Sequence, residues 1–448
     1  MNRPFRLLVV SYAFPPFGEV GSVRIAHLCR YLPKYGIEPI VLTVREDCYE
    51  VRDDTMAVPA NVRVLRTSML PNPLDWYGRL KRRSHSSTSS TAPRQTNEIQ
   101  RSTAGAFRRH ILAALQFPDR RSGWYLPALR AAERFANEEG VDAIFSSGPP
   151  WTSQVIALSL KKKLGVPWLA DFRDPWVSLV PASGPSWAHK LAGRLEFGCM
   201  HLSDLVLCNT DRLREAFQQH YSELHPAKFR TLTNGYEDLD PPAMNTAQSK
   251  RLLLHLGSIY GLRRIDTFLV ALSDLVHAKL LFPESFRIIL QGDMSPSVVA
   301  EAARTVPELL KNGFVEFRPR VSWGDAHKLL WQADLLLIFQ GAHRLQVPAK
   351  FYEYLQTGIP MFAIAEEGAL TDILQATQSG VWASSSDSQE IAKVLMQALQ
   401  LPRRTSAYVR NRFSAQYHYS GLAEQLSRLV REVVSGPAAD RIFPGSHS

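Results

Sequence analysis

The sequence lacks the features that mark secreted, membrane-spanning and metal-binding chains. Cysteines occur only at positions 29, 48, 199 and 208. They have neither the spacing of a metal site nor that of a disulfide framework, which favours a reducing compartment. The first apolar run, at positions 7–10, is too short for a signal peptide. No run approaches the roughly 20 apolar residues that a spanning helix needs. We therefore expect a cytoplasmic protein.

The charge of the chain is far from balanced. The formal net charge is +10 over 448 residues, whereas the hydrophobic fraction of 45% and the charged fraction of 21% are ordinary for a globular protein. The excess of positive charge implies an anionic partner. No nucleic-acid-binding motif is present. We therefore favour peripheral contact with an anionic membrane and expect no nucleic-acid partner.

One stretch in the C-terminal half combines the elements of a ligand site. Residues 333–339 form an apolar run of strand length, Pro348 suits the first turn of a helix, and residues 361–365 form a second strand. The segment between them lies at the carboxyl end of a parallel strand, where such sheets bind ligands. Lys350 and the unpaired amides of the helix start favour an anion such as a phosphate. Glu353, one turn further along, is placed to accept hydrogen bonds from ribose hydroxyls.

The same stretch resembles a known donor-nucleotide segment. Its sequence is Val-Pro-Ala-Lys-Phe-Tyr-Glu-Tyr-Leu at 347–355, continued by Thr-Gly-Ile-Pro at 357–360. This is similar to the segment that binds the donor in family 4-like glycosyltransferases of the GT-B fold. Many of those enzymes carry two glutamates here. Glu353 matches the second, whereas Leu345 stands in the place of the first.

Two glycines follow the first predicted strand, in the sequence Tyr-Ala-Phe-Pro-Pro-Phe-Gly-Glu-Val-Gly at 12–21. Gly18 and Gly21 permit close approach of the backbone to a ligand, as in phosphate loops, and are candidates for binding the donor diphosphate, although the chain has no Gly-x-Gly-x-x-Gly fingerprint. The segment resembles the opening of the same family, where it lies beside the acceptor and the donor phosphates. A plain strand-to-helix turn is the alternative interpretation.

A third segment, Asp-Phe-Arg-Asp-Pro-Trp, follows the predicted strand 166–170 and resembles the family together with Ser-Ser-Gly-Pro-Pro at 146–150. Asp171, Arg173 and Asp174 then lie at the carboxyl end of a strand, where sheet enzymes place polar chemistry. Asp171 is the candidate for orienting the acceptor hydroxyl or accepting its proton. Arg173 is the candidate for holding an anion or steadying the carboxylates. The alternative is an Arg–Asp clamp that only stiffens the loop.

Two further segments of the C-terminal half carry candidate donor contacts. The loop Gly-Ser-Ile-Tyr-Gly-Leu-Arg-Arg at 257–264 has the glycines and paired guanidinium groups of a pyrophosphate site. Arg263 and Arg264 occupy the area where the family places a basic residue against the donor diphosphate; surface charges are the alternative. Glu367 follows a later strand and is a candidate contact of the donor sugar, with a solvated helix start as the alternative.

Strand and helix patterns alternate through both halves of the chain, which predicts an α/β protein. The resemblance implies the GT-B fold, in which two Rossmann-like domains face each other across a cleft. We assign residues 1–240 to an acceptor domain and 250–403 to a nucleotide-sugar donor domain. Residues 404–435 are assigned to one helix that crosses back to the first domain. A basic, low-complexity insertion at about 78–105 is predicted to be disordered.

The resemblance implies transfer of a sugar from a nucleotide-diphosphate donor to an acceptor hydroxyl, with retention of configuration and without a metal or other cofactor. The acceptor that we expect is a glycan or glycolipid on a lipid carrier, reached from the inner face of the membrane. Two other functions stay open. A GT-B nucleotide-sugar epimerase would use the same cleft without an acceptor. A non-catalytic partner protein would bind the nucleotide-sugar and release no diphosphate.

Overall fold

The computed structural model describes residues 3–71, 112–182, 184–238, 241, 250–259 and 265–436. The predictions for the basic insertion at about 78–105 and for Arg263 and Arg264 lie outside these residues. Within them, strands and helices alternate through two halves, each built on one parallel sheet. The predicted pair of Rossmann-like units is therefore confirmed.

The described part of the N-terminal half contains the strands β1 (Phe5–Val10), β2 (Ile37–Val44), β3 (Arg63–Thr67), β4 (Ala143–Gly148), β5 (Trp168–Phe172), β6 (Leu205–Cys208) and β7 (Phe229–Thr231). Its helices are α1 (Val20–Tyr31), α2 (Tyr125–Glu139), α3 (Thr152–Leu164), α4 (Ser186–Leu202) and α5 (Asp211–His220). The strand order is β3-β2-β1-β4-β5-β6-β7, which is the doubly wound Rossmann order with one strand added.

The C-terminal half contains β8 (Arg251–Leu256), β9 (Phe286–Gln291), β10 (Val315–Arg318), β11 (Leu335–Gly341), β12 (Met361–Ala365) and β13 (Gly380–Ala383). Its helices are α6 (Asp266–His277), α7 (Pro296–Thr305), α8 (Pro307–Lys311), α9 (Trp323–Leu330), α10 (Lys350–Leu355), α11 (Ala369–Thr377), α12 (Ser388–Ala398), α13 (Ser406–Tyr417) and α14 (Tyr419–Ser435). The order β10-β9-β8-β11-β12-β13 repeats the same winding. The order reverses beside β1 and β4 in one sheet and beside β8 and β11 in the other, so both ligand crevices lie at the carboxyl ends of these strands.

Apolar side chains cover both faces of each sheet. Along β1, for example, Leu8 and Val10 belong to one buried cluster, whereas Leu7 and Val9 belong to another. This alternation follows from the period of two in a strand. The second cluster includes Leu426 of α14, because α14 packs on α1 of the N-terminal half. The predicted crossing of the C-terminal helix back to the first domain is therefore confirmed.

The single helix predicted over residues 404–435 is wrong, because the structure divides it into α13 and α14 at His418. His418 is extended, with φ −75° and ψ 137°. The amide of Tyr236 donates to the Tyr417 carbonyl at 2.8 Å, and the amide of Tyr419 donates to the Tyr236 carbonyl at 3.1 Å. These bonds to the segment that leaves the first domain replace the helical bonds, so the helix ends here.

Candidate functional site

A cleft of about 750 Å³ lies between the two halves, within the size range of small-molecule sites. Loops at the carboxyl ends of β1, β4 and β5 form one wall, and those of β8, β9, β10 and β11 form the other. The candidate residues that line it are Gly18, Gly21, Arg173, Asp174, Lys350 and Glu353. The structure thus brings together six residues that lie in three separate segments of the sequence.

Lys350 is held in the cleft by a buried histidine. Its Nζ atom lies 3.2 Å from Nε2 of His255, a side chain with no exposed surface. The Nδ1 atom of His255 lies 2.9 Å from the Leu337 carbonyl oxygen, which can only accept. Nδ1 therefore carries the proton, and Nε2 is the acceptor for the Lys350 ammonium group. This arrangement fixes the direction in which the ammonium group lies.

Glycines clear the space around the Lys350 amine. A Cβ atom on Gly257 would lie 2.6 Å from Lys350 Nζ, and one on Gly292 would lie 2.5 Å from the Gly257 carbonyl. Both glycines have a φ that other residues rarely adopt, +121° and +148°. Gly257 and Gly292, at the ends of β8 and β9, therefore form a surface without side chains beside Lys350, which we call the glycine floor. Close approach of a phosphate requires such a surface.

The predicted amide site at the start of α10 is only partly supported by the backbone. The helix begins at Lys350, two residues after Pro348, and is short. The amide of Phe351 donates to the Pro348 carbonyl at 2.9 Å, and that of Tyr352 donates to the Ala349 carbonyl at 3.1 Å. A tight first turn thus uses two amides that the sequence pattern assigned to an anion. The Lys350 ammonium group, rather than these amides, is the cationic feature of this loop.

Glu353 lies in the cleft beside a histidine that the sequence pattern did not reveal. Burial raises the pKa of Glu353, while the charge of Lys350 acts in the opposite direction. The Nδ1 atom of His327 lies 2.9 Å from the Trp323 carbonyl oxygen and so donates to it. Its Nε2 atom is buried, has no hydrogen-bond partner among the described residues, and belongs to a side chain that lines the cleft. Glu353 and His327 together offer acceptors for ligand hydroxyls.

Arg173 and Gly21 meet on the opposite wall. A Cβ atom on Gly21 would lie 2.5 Å from Arg173 Nη1, so glycine at this position lets the guanidinium group lie against the start of α1. Arg173 also donates to the Pro149 carbonyl. Burial lowers the pKa of Arg173, and the charges of Asp174 and Asp171 oppose that change. The glycine loop and Arg173, which the sequence analysis treated as separate segments, are therefore in contact.

Gly18 and Asp174 connect the two walls. The Gly18 carbonyl accepts a hydrogen bond from Arg320 at 2.5 Å, and Asp174 accepts one from Gln346 at 2.6 Å. Arg320 and Gln346 belong to the C-terminal half, so these contacts cross the cleft. Arg320 was missed by the sequence prediction; the signal that it offered was its position just after the short strand β10.

Asp171 does not line the cleft. The strand β5 continues through Phe172, beyond the predicted 166–170, and therefore contains Asp171. The carboxylate is fully buried, and it accepts from Arg24 Nη2 at 2.9 Å and from Ser147 Oγ at 2.7 Å. This is the geometry of a structural ion pair, as in the alternative interpretation, but with Arg24 as the partner instead of Arg173. The role of Asp171 toward an acceptor hydroxyl stays a prediction without geometric support.

Glu367 lies apart from the other candidates. Its side chain is 73% exposed and lies 3.6 Å from Arg212 of α5, which also pairs with Asp372 at 2.6 Å. It is not among the residues that line the cleft. The predicted contact with a donor sugar stays a prediction.

Among the described residues, no helix is both long and apolar enough to cross a bilayer.

The chain is similar to known proteins in sequence and in fold. The family model described as Glycosyltransferase Family 4 matches residues 21–238. No curated protein matches the chain. Three solved structures share the fold: the Anabaena protein HepE in complex with UDP and glucose (TM-score 0.64, 13% identity, 96% of this chain and 100% of that chain), a glycosyltransferase from Rickettsia africae (0.60, 12%, 97% and 100%), and WaaB, a lipopolysaccharide outer core galactosyltransferase (0.57, 11%, 96% and 100%). Residues 21–238 thus match the Glycosyltransferase Family 4 model, and the whole chain has the GT-B fold, as the sequence resemblance implied.

Proposed function

We propose that this protein is a glycosyltransferase that moves a hexose from a nucleoside-diphosphate donor to a hydroxyl of a lipid-linked glycan, with retention and without a metal. The observation that carries the proposal is Lys350 beside the bare backbone at Gly257 in the cleft between the halves. Two structures of the same fold support it. HepE was solved with UDP and glucose, and WaaB acts in the lipopolysaccharide outer core.

The cationic wall supplies the electrostatic part of the reaction. When the bond between sugar and diphosphate breaks, negative charge develops on the leaving diphosphate. A preorganised positive group at that point stabilises the transition state. Lys350 meets this requirement because His255 holds its ammonium group over the glycine floor. Arg263 and Arg264 are proposed to add to it from the loop after β8.

The acceptors beside Lys350 suit the ribose. Glu353 begins the second half of α10, less than one turn from Lys350 on the same short helix. Ribose hydroxyls can donate to its carboxylate and to Nε2 of His327, which gives a buried acceptor the partner that it lacks among the described residues. Phosphate at Lys350 and ribose at Glu353 place the base near Trp323, which also lines the cleft.

The opposite wall is proposed to receive the acceptor. Arg173 lies there against Gly21, and Asp174 is tied to the donor half through Gln346. Closure of the two walls on bound substrates is proposed to exclude water and so to limit hydrolysis of the donor. The net positive charge supports work at the inner face of an anionic membrane, in the synthesis of cell-surface polysaccharide or glycolipid.

The donor is identified first and the reaction second. UDP-, GDP- and ADP-sugars are compared for thermal stabilisation, because a ligand bound only by the native state raises the melting temperature. The best donor is then incubated with short-chain lipid-linked glycans, with and without EDTA, and release of nucleoside diphosphate is measured. We expect release that depends on the acceptor and is unchanged by EDTA.

Each rival function has its own result in this assay. Conversion of the donor without any acceptor would identify an epimerase. Donor binding without diphosphate release under every acceptor tested would identify a binding protein. Loss of release upon EDTA treatment would refute the metal-free reaction. The anomeric configuration of the product, read by proton NMR, tests retention.

A further inference from the structure

A second cavity of about 700 Å³ adjoins the cleft on the N-terminal half. It lies between the outer face of α1 and the loop at 55–61 that leads into β3; we call it the α1 trough. Val23, Met56 and Trp323 line both the α1 trough and the cleft. A molecule whose reacting end lies in the cleft can therefore extend along α1 without leaving the protein surface.

The walls of the α1 trough are mainly apolar. Ala26 and Tyr31 contribute from α1, and Met56, Val58 and Pro59 contribute from the facing loop. Val58 is 38% exposed and faces the cavity, so its side chain is available to an apolar ligand. Apolar walls of this kind favour a ligand with hydrocarbon surface to bury.

The charged groups of the α1 trough are all basic. His27, Arg30 and Lys34 follow one another along α1 and the turn after it, and no carboxylate is among the described residues that line the cavity. His27 pairs with Glu237 at 3.0 Å, whereas Arg30 is 56% exposed and lies 3.9 Å from Glu237, at the outer limit of an ion pair. Lys34 lies over the Tyr31 ring, with Nζ at 4.6 Å from the ring centre. Arg30 and Lys34 are thus the cations that an anionic ligand would meet.

The position of these cations along α1 matters. Gly21 at the start of α1 touches Arg173 in the cleft, and Lys34 lies beyond the other end of the helix. At the rise of a helix, Val23 and Lys34 are about 16 Å apart. The basic groups therefore lie one to three turns away from the reaction cleft, too far to contact the reacting hydroxyl.

We propose that the α1 trough binds the non-reacting end of the acceptor, an amphiphile that combines a hydrocarbon chain with a phosphate group. The inference rests on the proposed function and names the acceptor class for it. The hydrocarbon chain packs against Val58 and Pro59, and the phosphate pairs with Arg30 and Lys34. The sugar that receives the transfer then lies at the border that Val23 and Trp323 form with the cleft.

Binding is tested without any knowledge of the natural acceptor. Calorimetric titrations compare decyl phosphate, kept below its micelle concentration, with inorganic phosphate and with neutral decyl glucoside. We expect decyl phosphate to bind at least about tenfold more tightly than either, because only this probe uses both the cations and the apolar wall.

Three variants of the full chain assign the binding to the α1 trough. Arg30→Glu/Lys34→Glu reverses the cations, Val58→Glu places a charge in the apolar wall, and Lys393→Glu/Arg428→Glu reverses two exposed cations that line neither cavity. The first two should weaken decyl phosphate binding by about tenfold or more, and the third should leave it unchanged. All changed side chains are exposed, so folding is expected to be retained.

The outcomes separate this inference from the proposed function. Thermal stabilisation by the donor should be the same in the wild type and in the trough variants. If sugar transfer fails but decyl phosphate binding still depends on Arg30, Lys34 and Val58, the α1 trough stands without the reaction. Equal binding of decyl phosphate by wild type and trough variants would overturn the inference. So would binding of anionic vesicles without binding of decyl phosphate monomers, which would assign these cations to membrane contact alone.

Discussion

Replacement of Lys350 by methionine tests the central electrostatic argument. The change keeps an unbranched side chain of similar length and removes the ammonium group that His255 positions at 3.2 Å. A hydrogen bond to a charged group contributes about 1.5–3 kcal/mol, which corresponds to roughly 10- to 150-fold in a dissociation constant. We therefore expect the affinity for the preferred nucleoside diphosphate to fall by that factor, as measured by isothermal titration calorimetry.

Titrations with the free nucleoside and with the nucleoside diphosphate show which part of the ligand Lys350 contacts. The free nucleoside has no phosphate, so its affinity should be the same for the wild type and Lys350→Met. The matched control is Lys328→Met, which removes a lysine that is 70% exposed and pairs with Asp325; it should bind the diphosphate like the wild type. If Lys350→Met lost equal affinity for nucleoside and diphosphate, the reasoning would be refuted, because the lysine would then shape the pocket rather than hold phosphate.

Three further substitutions test other parts of the structure. A Cβ atom at Gly257 would meet Lys350, whereas one at Gly165 would meet nothing within 4 Å, and both positions have positive φ. Each alanine should lower the free energy of unfolding by about 1–3 kcal/mol, but only Gly257→Ala should weaken diphosphate binding; equal affinities would contradict this. Burial raises the pKa of Glu353 above 4.5, so the stability that its protonated form contributes is complete below pH 4.5 and is lost as the pH rises through the raised pKa. The melting temperature of Glu353→Gln should therefore fall less than that of the wild type over this pH range. Parallel curves of melting temperature against pH for the two proteins would contradict this prediction. Arg24→Met leaves the Asp171 carboxylate buried without its guanidinium partner, which should cost about 3–5 kcal/mol in chemical denaturation. Addition of Asp171→Asn should restore part of this loss, and no recovery would show that the pair is not the cause.

The regular elements could be predicted from sequence because their signals are local. A parallel strand covered on both faces is a continuous apolar run. The strand at 361–365 was predicted with the bounds that β12 has in the structure. By contrast, the end of α13 at Tyr417 depends on hydrogen bonds with Tyr236, which lies in a distant part of the sequence. No local pattern contains that information, so the prediction joined two helices into one.

The candidate site could likewise be predicted only where its residues lie in one short segment of the sequence. Lys350 and Glu353 share one short segment, and the structure places both in the cleft, where their roles still await a test. The partner of Asp171 could not be predicted, because Arg24 is 147 residues away in the sequence. His327 was missed for a related reason. Its spacing from Trp323 is visible in the sequence, but its burial beside Glu353 arises only when α9 and α10 pack together.

Several contacts that join the two walls at the rim of the cleft are polar and partly exposed. Gln346 donates to Asp174 from the opposite wall. Arg212 pairs with Asp372 although their side chains are 42% and 48% exposed. Ion pairs in contact with solvent contribute about 0–1 kcal/mol each, since water competes for both partners. Separation of the two walls at this rim therefore costs little free energy.

The connection between the halves is of a different kind. Tyr236 is 1% exposed, and its amide and carbonyl both bond to the backbone where α13 meets α14. Gly235 is packed so closely that a Cβ atom there would lie 2.5 Å from the Tyr417 carbonyl oxygen. Buried backbone hydrogen bonds are costly to break without replacement. The molecule is therefore firmly joined at the linker and weakly joined at the rim of the cleft. This difference favours rotation about the linker as the way in which donor and acceptor enter and products leave.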